Sequence, residues 1–267
     1  MTYRPIDLPG IFYMKLNQHL QVGEYRRLCR ELRKSKYSVV RASEALRLFD
    51  QKRLMIKDRV RVIWIHDVES PSDNWLAEEM AEVEAAHGFA STYNIRTFCA
   101  MDNELRKTLR RVVKWGGEIQ YQYEDLVTAH GDVRLARRMF GENLKWLRRH
   151  FPRINVAFSH GVWLSGLDSA DQFKVGGRWR PALWTRYGIH PDGELSYFMD
   201  ILRETYGARF HFFAEPRYLG ADEFLTALDE TVPGDIVMFL QHPGWWSTII
   251  DIGQMKTCLR ESVFFKK

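Results

Sequence analysis

Cysteine is scarce: the 267-residue chain has three, Cys29, Cys99 and Cys258, far apart and with no C-x-x-C pair. So sparse and odd a set argues against a disulfide framework and fits a reducing compartment. Long apolar runs are missing as well. No uninterrupted stretch approaches the roughly 20 residues of a transmembrane helix, so no membrane span is expected. The first ten residues carry Arg4, Asp7 and two prolines where a secretory leader would have an apolar core, which makes a cytoplasmic location the expectation. No recognised nucleic-acid motif occurs and the net charge is a modest +5. The basic runs at 106–111 and 134–149 have the look of solvated helix faces, so a nucleic-acid partner is not expected. No linker rich in Pro, Gly or Ser divides the chain, and residues 1–267 read as a single domain.

Tryptophan, by contrast, is plentiful. Of the nine, Trp163, Trp179, Trp184, Trp245 and Trp246 stand in turn-like contexts beside Gly and Pro. Such residues either fill a core or supply flat platforms for sugar rings, with one polar edge available for a hydrogen bond.

Hydrophobic periodicity gives a repeated strand–helix alternation. Helical spacing of Tyr25, Leu28, Cys29 and Leu32 precedes a short strand at Tyr37–Val40. Val60–Ile65 is a buried strand by its β-branched content. Ser70-Pro71-Ser72-Asp73 then starts a helix, with Ser as cap, Pro at the first position and an acid in the first turn. Leu76, Met80 and Val83 form that helix's inner face, and Gly88 ends it. Further strands are expected at Phe89–Ile95, Ile119–Tyr123, Ile154–Phe158, Arg209–Phe213 and Asp235–Leu240. Helices are expected after the Asp102 cap (inner face Leu105, Leu109, Val112, Val113), over Val133–His150, Leu195–Tyr206 and Ala221–Glu230. Residues 164–192 show no clear period. The alternation implies a parallel sheet with helices outside. About seven strands, with no nucleotide-type glycine loop after the first, favour an α/β fold of the distorted (β/α) barrel kind.

In parallel barrels the working groups sit at the C-terminal ends of the strands. There the sequence places His66, Asp67 and Glu69 after the Val60 strand, and Gln122 and Glu124 at the close of the Ile119 strand. Ser159 and His160 follow the Ile154 strand; Gln241 and His242 follow the last. Two carboxylates at i and i+2 can divide their roles, one holding a cation and the other acting as base. Histidines from other strands can complete a metal shell or serve as general acid.

At these same residues the chain resembles the polysaccharide deacetylase family, in its branch with a His-Asp-Val-Asp signature. His66-Asp67-Val68-Glu69 resembles that signature. His87-Gly88 followed by Ala90-Ser91-Thr92-Tyr93, and the stretch Gly116-Gly117-Glu118-Ile119-Gln120-Tyr121-Gln122-Tyr123, resemble its next motifs. Ser159-His160-Gly161, Gly176-Gly177-Arg178-Trp179 and Leu240-Gln241-His242-Pro243 with Trp245-Trp246 resemble its later ones. The resemblance implies metal-assisted removal of an N- or O-acetyl group from a sugar. Asp67 would be the general base, Glu69 a ligand of a zinc-like divalent metal, and His242 the general acid. Gln122, Arg178, Trp179, Trp245 and Trp246 would contact a carbohydrate or acetylated small-molecule substrate.

The chain also departs from the family pattern. Gly117, Gln122 and Leu126 stand where histidines are expected, and Val175 or Lys174 replaces the aspartate before Gly-Arg-Trp. Glu69 is one methylene longer than the usual aspartate. Amide oxygen is a poor substitute for imidazole on such a metal. Either His66, His160 and His242 supply the missing ligands, or no catalytic metal binds. Three functions follow: an active deacetylase-like hydrolase with a rearranged metal site, an inactive barrel that binds carbohydrate or regulates a partner, or metal-free chemistry using Asp67 and a histidine.

Overall fold

The apolar run Val60-Arg61-Val62-Ile63-Trp64-Ile65 forms the centre of the sheet because it can be buried on both faces. In the computed structural model, which describes residues 22–160, 166–214 and 221–246, this strand is β2 (Val60–Val68), buried along its whole length. Around it the chain runs α1 (Val22–Leu32), β1 (Tyr37–Val40), α2 (Ala42–Asp50), β2, α3 (Pro71–Ala86), β3 (Thr92–Ile95), α4 (Asn103–Lys114), β4 (Glu118–Tyr123) and α5 (Asp125–Thr128). It continues with α6 (Val133–Arg148), β5 (Ala157–Ser159), a small hairpin of β6 (Lys174–Val175) and β7 (Arg178–Trp179), and α7 (Ala182–Thr185). The last elements are α8 (Leu195–Tyr206), β8 (Phe210–Ala214), α9 (Ala221–Asp229) and β9 (Ile236–Gln241).

The main sheet is 7-stranded, in the order β5-β4-β3-β2-β9-β8 with β1 paired to β2. Every pairing within it is parallel. β1 takes the first half of one side of β2 and β3 the second half, while β9 runs along the other side. The result is an α/β half-barrel with about the strand number that the sequence implied. Among the described residues, no helix is long and apolar enough to cross a membrane.

Side chains alternate across each strand, and this decides what reaches the site. Val62 and Trp64 face α1, α3 and α9 on the outer side. Ile63 and Ile65 face the inner side, covered by α2 and α8. On β3 and β4 the outward residues Tyr93, Ile95, Ile119, Tyr121 and Tyr123 join the core beneath α4 and α6. Their inward neighbours Thr92, Asn94, Gln120 and Gln122 are polar and just as buried. Buried polar groups need partners; Gln120 Oε1, for example, accepts the backbone N–H of Asn155 and Val156 at 3.0 and 2.9 Å.

The expected start and stop signals work as read. Ser70 and Asp73 form a capping box at the head of α3, Asp102 caps α4, and Gly88 takes a φ of 85° that a branched residue would resist. Other boundaries differ. β2 continues to Val68, so His66 and Asp67 belong to the strand itself. Val113 is 47% exposed, because the buried stripe of α4 is Leu105, Thr108, Leu109 and Val112. The short helix α2 has no counterpart in the sequence reading. Residues 166–192 carry a 3-10 turn, the β6–β7 hairpin and α7, which no single period could have indicated.

Helix α8 packs on both β5 and β8, the two edges of the open sheet. Its cap, Glu194, is fully buried and accepts from Tyr197 N at 2.7 Å and Tyr123 Oη at 2.9 Å. Burial pushes the Glu194 carboxyl up to about 7, against the opposing pull of those bonds. A folded-state value above the unfolded one means this group's stabilisation is complete below pH ~4 and is lost as pH rises through about 7. Glu194→Gln, which mimics the protonated acid, should therefore gain stability relative to wild type between pH 5 and 8, by at most roughly 1.4 kcal/mol per pH unit. Denaturant midpoints across that range measure it; parallel curves for the two proteins would refute the assignment.

Candidate functional site

Period-two spacing carries pairs of polar residues over the C-terminal ends of the strands: Asp67 and Glu69 from β2, Asn94 and Arg96 from β3, Gln122 and Glu124 from β4. His160 follows β5 and His242 follows β9 directly. Asp67 and Asn94 are register partners, and Asn94 Nδ2 donates to Asp67 Oδ1 at 2.9 Å. The turn after Glu69 is fixed by Asp73, whose Oδ2 accepts from the backbone of Glu69 at 3.1 Å and Ser70 at 2.8 Å. Gly244, two residues past His242, packs so closely there that a Cβ would lie 2.8 Å from Asp73 Oδ1. A residue without a side chain at 244 thus lets the β9 loop approach the head of α3.

Glu69 is the hub. Its Oε1 lies 2.9 Å from His160 Nε2, 3.2 Å from His242 Nε2 and 3.3 Å from Gln122 Nε2. His160 Nδ1 lies 3.2 Å from Glu124 Oε2, and Arg96 Nη2 donates to Glu124 Oε1. Asp67 is buried at the floor, whereas Glu69, His160 and His242 are partly exposed.

These environments drive the carboxyls apart. Burial pushes Asp67 up to about 7, with His242 pulling it down and Glu69 adding to the rise. Burial also works on Glu69, but His242 and His160 outweigh it and hold the group well below the ordinary carboxylate value. His160 rises to about 9: burial opposes its charge, and its bonds to Glu124 and Glu69 overcome that. At neutral pH the site therefore combines a firmly ionised carboxylate, a cationic imidazole and a second carboxyl near its midpoint.

Asp67, Glu69 and His242 each offer one donor atom, all within 4.8 Å of one another. Two oxygens and one imidazole nitrogen converging in this way fit a divalent cation of the zinc or manganese kind. Gln122 Oε1 and Asn94 Oδ1 lie buried beside these carboxylates without a hydrogen-bond partner. The amide orientations are set by the acceptors they face, since turning either amide round would put oxygen against carboxylate oxygen.

The other expected site residues fall elsewhere. His66 is turned to the outer face by strand alternation; it is fully buried with Nε2 2.8 Å from Glu84 Oε1, and it is not among the converging donors. His160 touches Glu69 but lies outside the three-donor group. Gln122 is buried under Glu69. Trp179 donates from Nε1 to Asp200 at 3.0 Å and packs on Trp184 and Tyr197, with Lys174 over its ring. Arg178 is exposed on the hairpin. Trp246 is 4% exposed, stacked on Phe224 and edge-on to Tyr25, so it fills the core where a sugar platform was expected. Trp246→Phe should lower stability by about 1–2 kcal/mol, read as a fall in the thermal midpoint; an unchanged midpoint would count against its place in the core. Gly161, Trp163, Cys258 and the side chain of Trp245 lie outside the described residues.

The sequence reading missed Asn94 and Arg96. Continuing the period-two rule along Thr92–Ile95, as Asp67 and Glu69 do on β2, would have found both.

No protein-family profile and no curated protein matches this chain. Among solved structures, a peptidoglycan deacetylase from Bacillus subtilis, determined as a point mutant, is similar over 75% of this chain and 91% of its own, with 10% sequence identity and a TM-score of 0.34.

Proposed function

We propose that the chain is a deacetylase-like hydrolase acting on an acetylated sugar or a related small acetylated compound, working as one domain. The observation that carries the reading is the convergence of Asp67, Glu69 and His242 at the strand ends, with donor atoms within 4.8 Å of one another. Glu69 and His242 would hold a divalent cation, with Asp67 at its edge. Such a cation would supply Lewis acidity toward the acetyl carbonyl and the attacking water. Asp67, with one oxygen engaged by Asn94, has the other available to take a proton from the attacking water. Its buried position limits competition from bulk solvent, and the proton it takes would pass on to the departing nitrogen or oxygen of the sugar; Glu69, His160 and His242 beside it are partly exposed.

The test is elemental analysis of protein purified without chelator, paired with acetate release from N- and O-acetylated sugars. Zn or a similar divalent metal near one equivalent is expected, together with acetate release; Glu69→Ala should abolish metal retention. Metal content unchanged by that substitution would remove Glu69 as a ligand. A second reading, an inactive barrel that binds carbohydrate, draws support from Glu69 Oε1, which already faces three nitrogen groups of this chain. Protein that holds no metal and releases no acetate when metal is added, but still binds an acetylated sugar, would favour it.

A further inference from the structure

Glutamate has one more rotatable side-chain bond than aspartate, so aiming its carboxylate costs more conformational entropy and requires more fixed partners. At position 69 those partners are arranged in depth. Gln122, buried on β4, donates to Oε1 from below. His160 reaches the same oxygen with Nε2 at 2.9 Å, and its own place is set twice. Its backbone N donates to Tyr123 O at 2.8 Å, and its Nδ1 faces Glu124 Oε2 at 3.2 Å. Glu124 is in turn held by Arg96, whose guanidinium stands 4.5 Å from the ring centre of Phe98. Both ring nitrogens of His160 thus face carboxylate oxygens, an arrangement that uses it as a donor at each end. It also stands outside the group of converging cation donors.

We propose that Arg96, Glu124 and His160 are positioning residues that orient the Glu69 carboxylate, with His160 bridging Glu124 to Glu69 and not ligating a metal. Charge-assisted hydrogen bonds of this kind are stronger and more directional than neutral ones. Partners behind a working ligand commonly set its affinity for a cation. A longer acid at 69, an amide at 122 and a carboxylate-backed imidazole at 160 then form one device. The inference rests on Glu69 being a working group of the site, and its first readout needs no metal.

The experiment uses the full chain, metal-free, with isotope-labelled histidine and glutamate, and the variants Glu124→Gln and Arg96→Met. Arginine has only donors, so in Glu124→Gln the amide oxygen stays with Arg96 and the NH2 turns to His160. The partner facing Nδ1 then changes from a carboxylate oxygen to an amide NH2, and the Nδ1 signal of His160 should shift. The Glu69 carboxyl carbon signal should shift in both variants, with the thermal midpoint checked alongside. Zinc affinity, measured by chelator competition, should fall about 10–100-fold. A Glu69 carbon signal unmoved in both variants, or unmoved in His160→Ala, would overturn the proposal. If Glu124→Gln does not fold, Arg96→Met and His160→Ala decide it by the same signal. Wild-type protein that binds no zinc and releases no acetate would defeat the hydrolase reading, while the carbon signal would still decide this one.

Discussion

Asp67→Asn should lower acetate release by about 10²–10⁴-fold, the range that a positioned acid or base contributes, while the protein stays folded. The substitution keeps the shape and an acceptor oxygen for Asn94 Nδ2, which now bonds Asp67 Oδ1 at 2.9 Å. What it removes is the capacity to take a proton from water. Burial already disfavours the ionised form of Asp67, so a neutral amide on the buried floor costs the fold little. Loss of turnover without loss of the thermal midpoint is thus the expected pair of results. Steady-state acetate release, with zinc or manganese supplied, measures the first and thermal unfolding the second. Turnover within about tenfold of wild type would mean that another group removes the proton, since a base contributes at least about 10²-fold.

Glu84→Ala should have the largest effect on stability, about 3–5 kcal/mol, as expected when one partner of a buried charged network is removed. Glu84 is fully buried in the last turn of α3. Its carboxylate accepts from Tyr25 Oη at 2.6 Å, His66 Nε2 at 2.8 Å, Ser91 Oγ at 2.6 Å and Tyr93 Oη at 3.0 Å. These donors come from α1, β2, the loop before β3, and β3, so this one acid ties the outer helices to the strands that carry the site. Truncation would remove the acceptor that these four buried groups share, leaving them only their weaker contacts with one another, such as Tyr25 Oη to His66 Nε2 at 3.4 Å. At about 2–4 °C per kcal/mol for a chain near this size, the midpoint should drop by roughly 10 °C. A drop worth less than about 1 kcal/mol would show that the donors find other partners.

The two predictions meet at β2, where adjacent residues serve opposite ends. His66 is the first residue of the family-like signature, and from sequence it could equally be a ligand. The sheet assigns it to Glu84 on the outer face and Asp67 to the inner face, because successive side chains of a strand point to opposite sides. The same rule read along the sequence would have kept Asp67 and Glu69 together and excluded His66, had the strand been extended to Val68. It would also have picked out Asn94 and Arg96 on β3. Tryptophan stayed open in the sequence for a different reason. Local Gly and Pro around Trp179 and Trp246 suggest a loop, but whether a ring in a loop faces solvent or core depends on what packs over it. For Trp246 that is Phe224 of α9 and Tyr25 of α1, distant in sequence.

By itself the sequence determined the order of the seven main-sheet strands and the longer helices between them, the α/β class with a parallel sheet, the capping box that starts α3, and the strand ends where acids and histidines gather. These are local properties, written in hydrophobic period, β-branched runs, caps and glycines. Only the tertiary structure decided which of those groups share a point in space. Asp67, Glu69 and His242 converge because β9 pairs alongside β2. Glu124 backs His160 because β4 pairs with β5. Strand neighbours far apart in the chain are set by the packing of the whole sheet, and no local spacing encodes them.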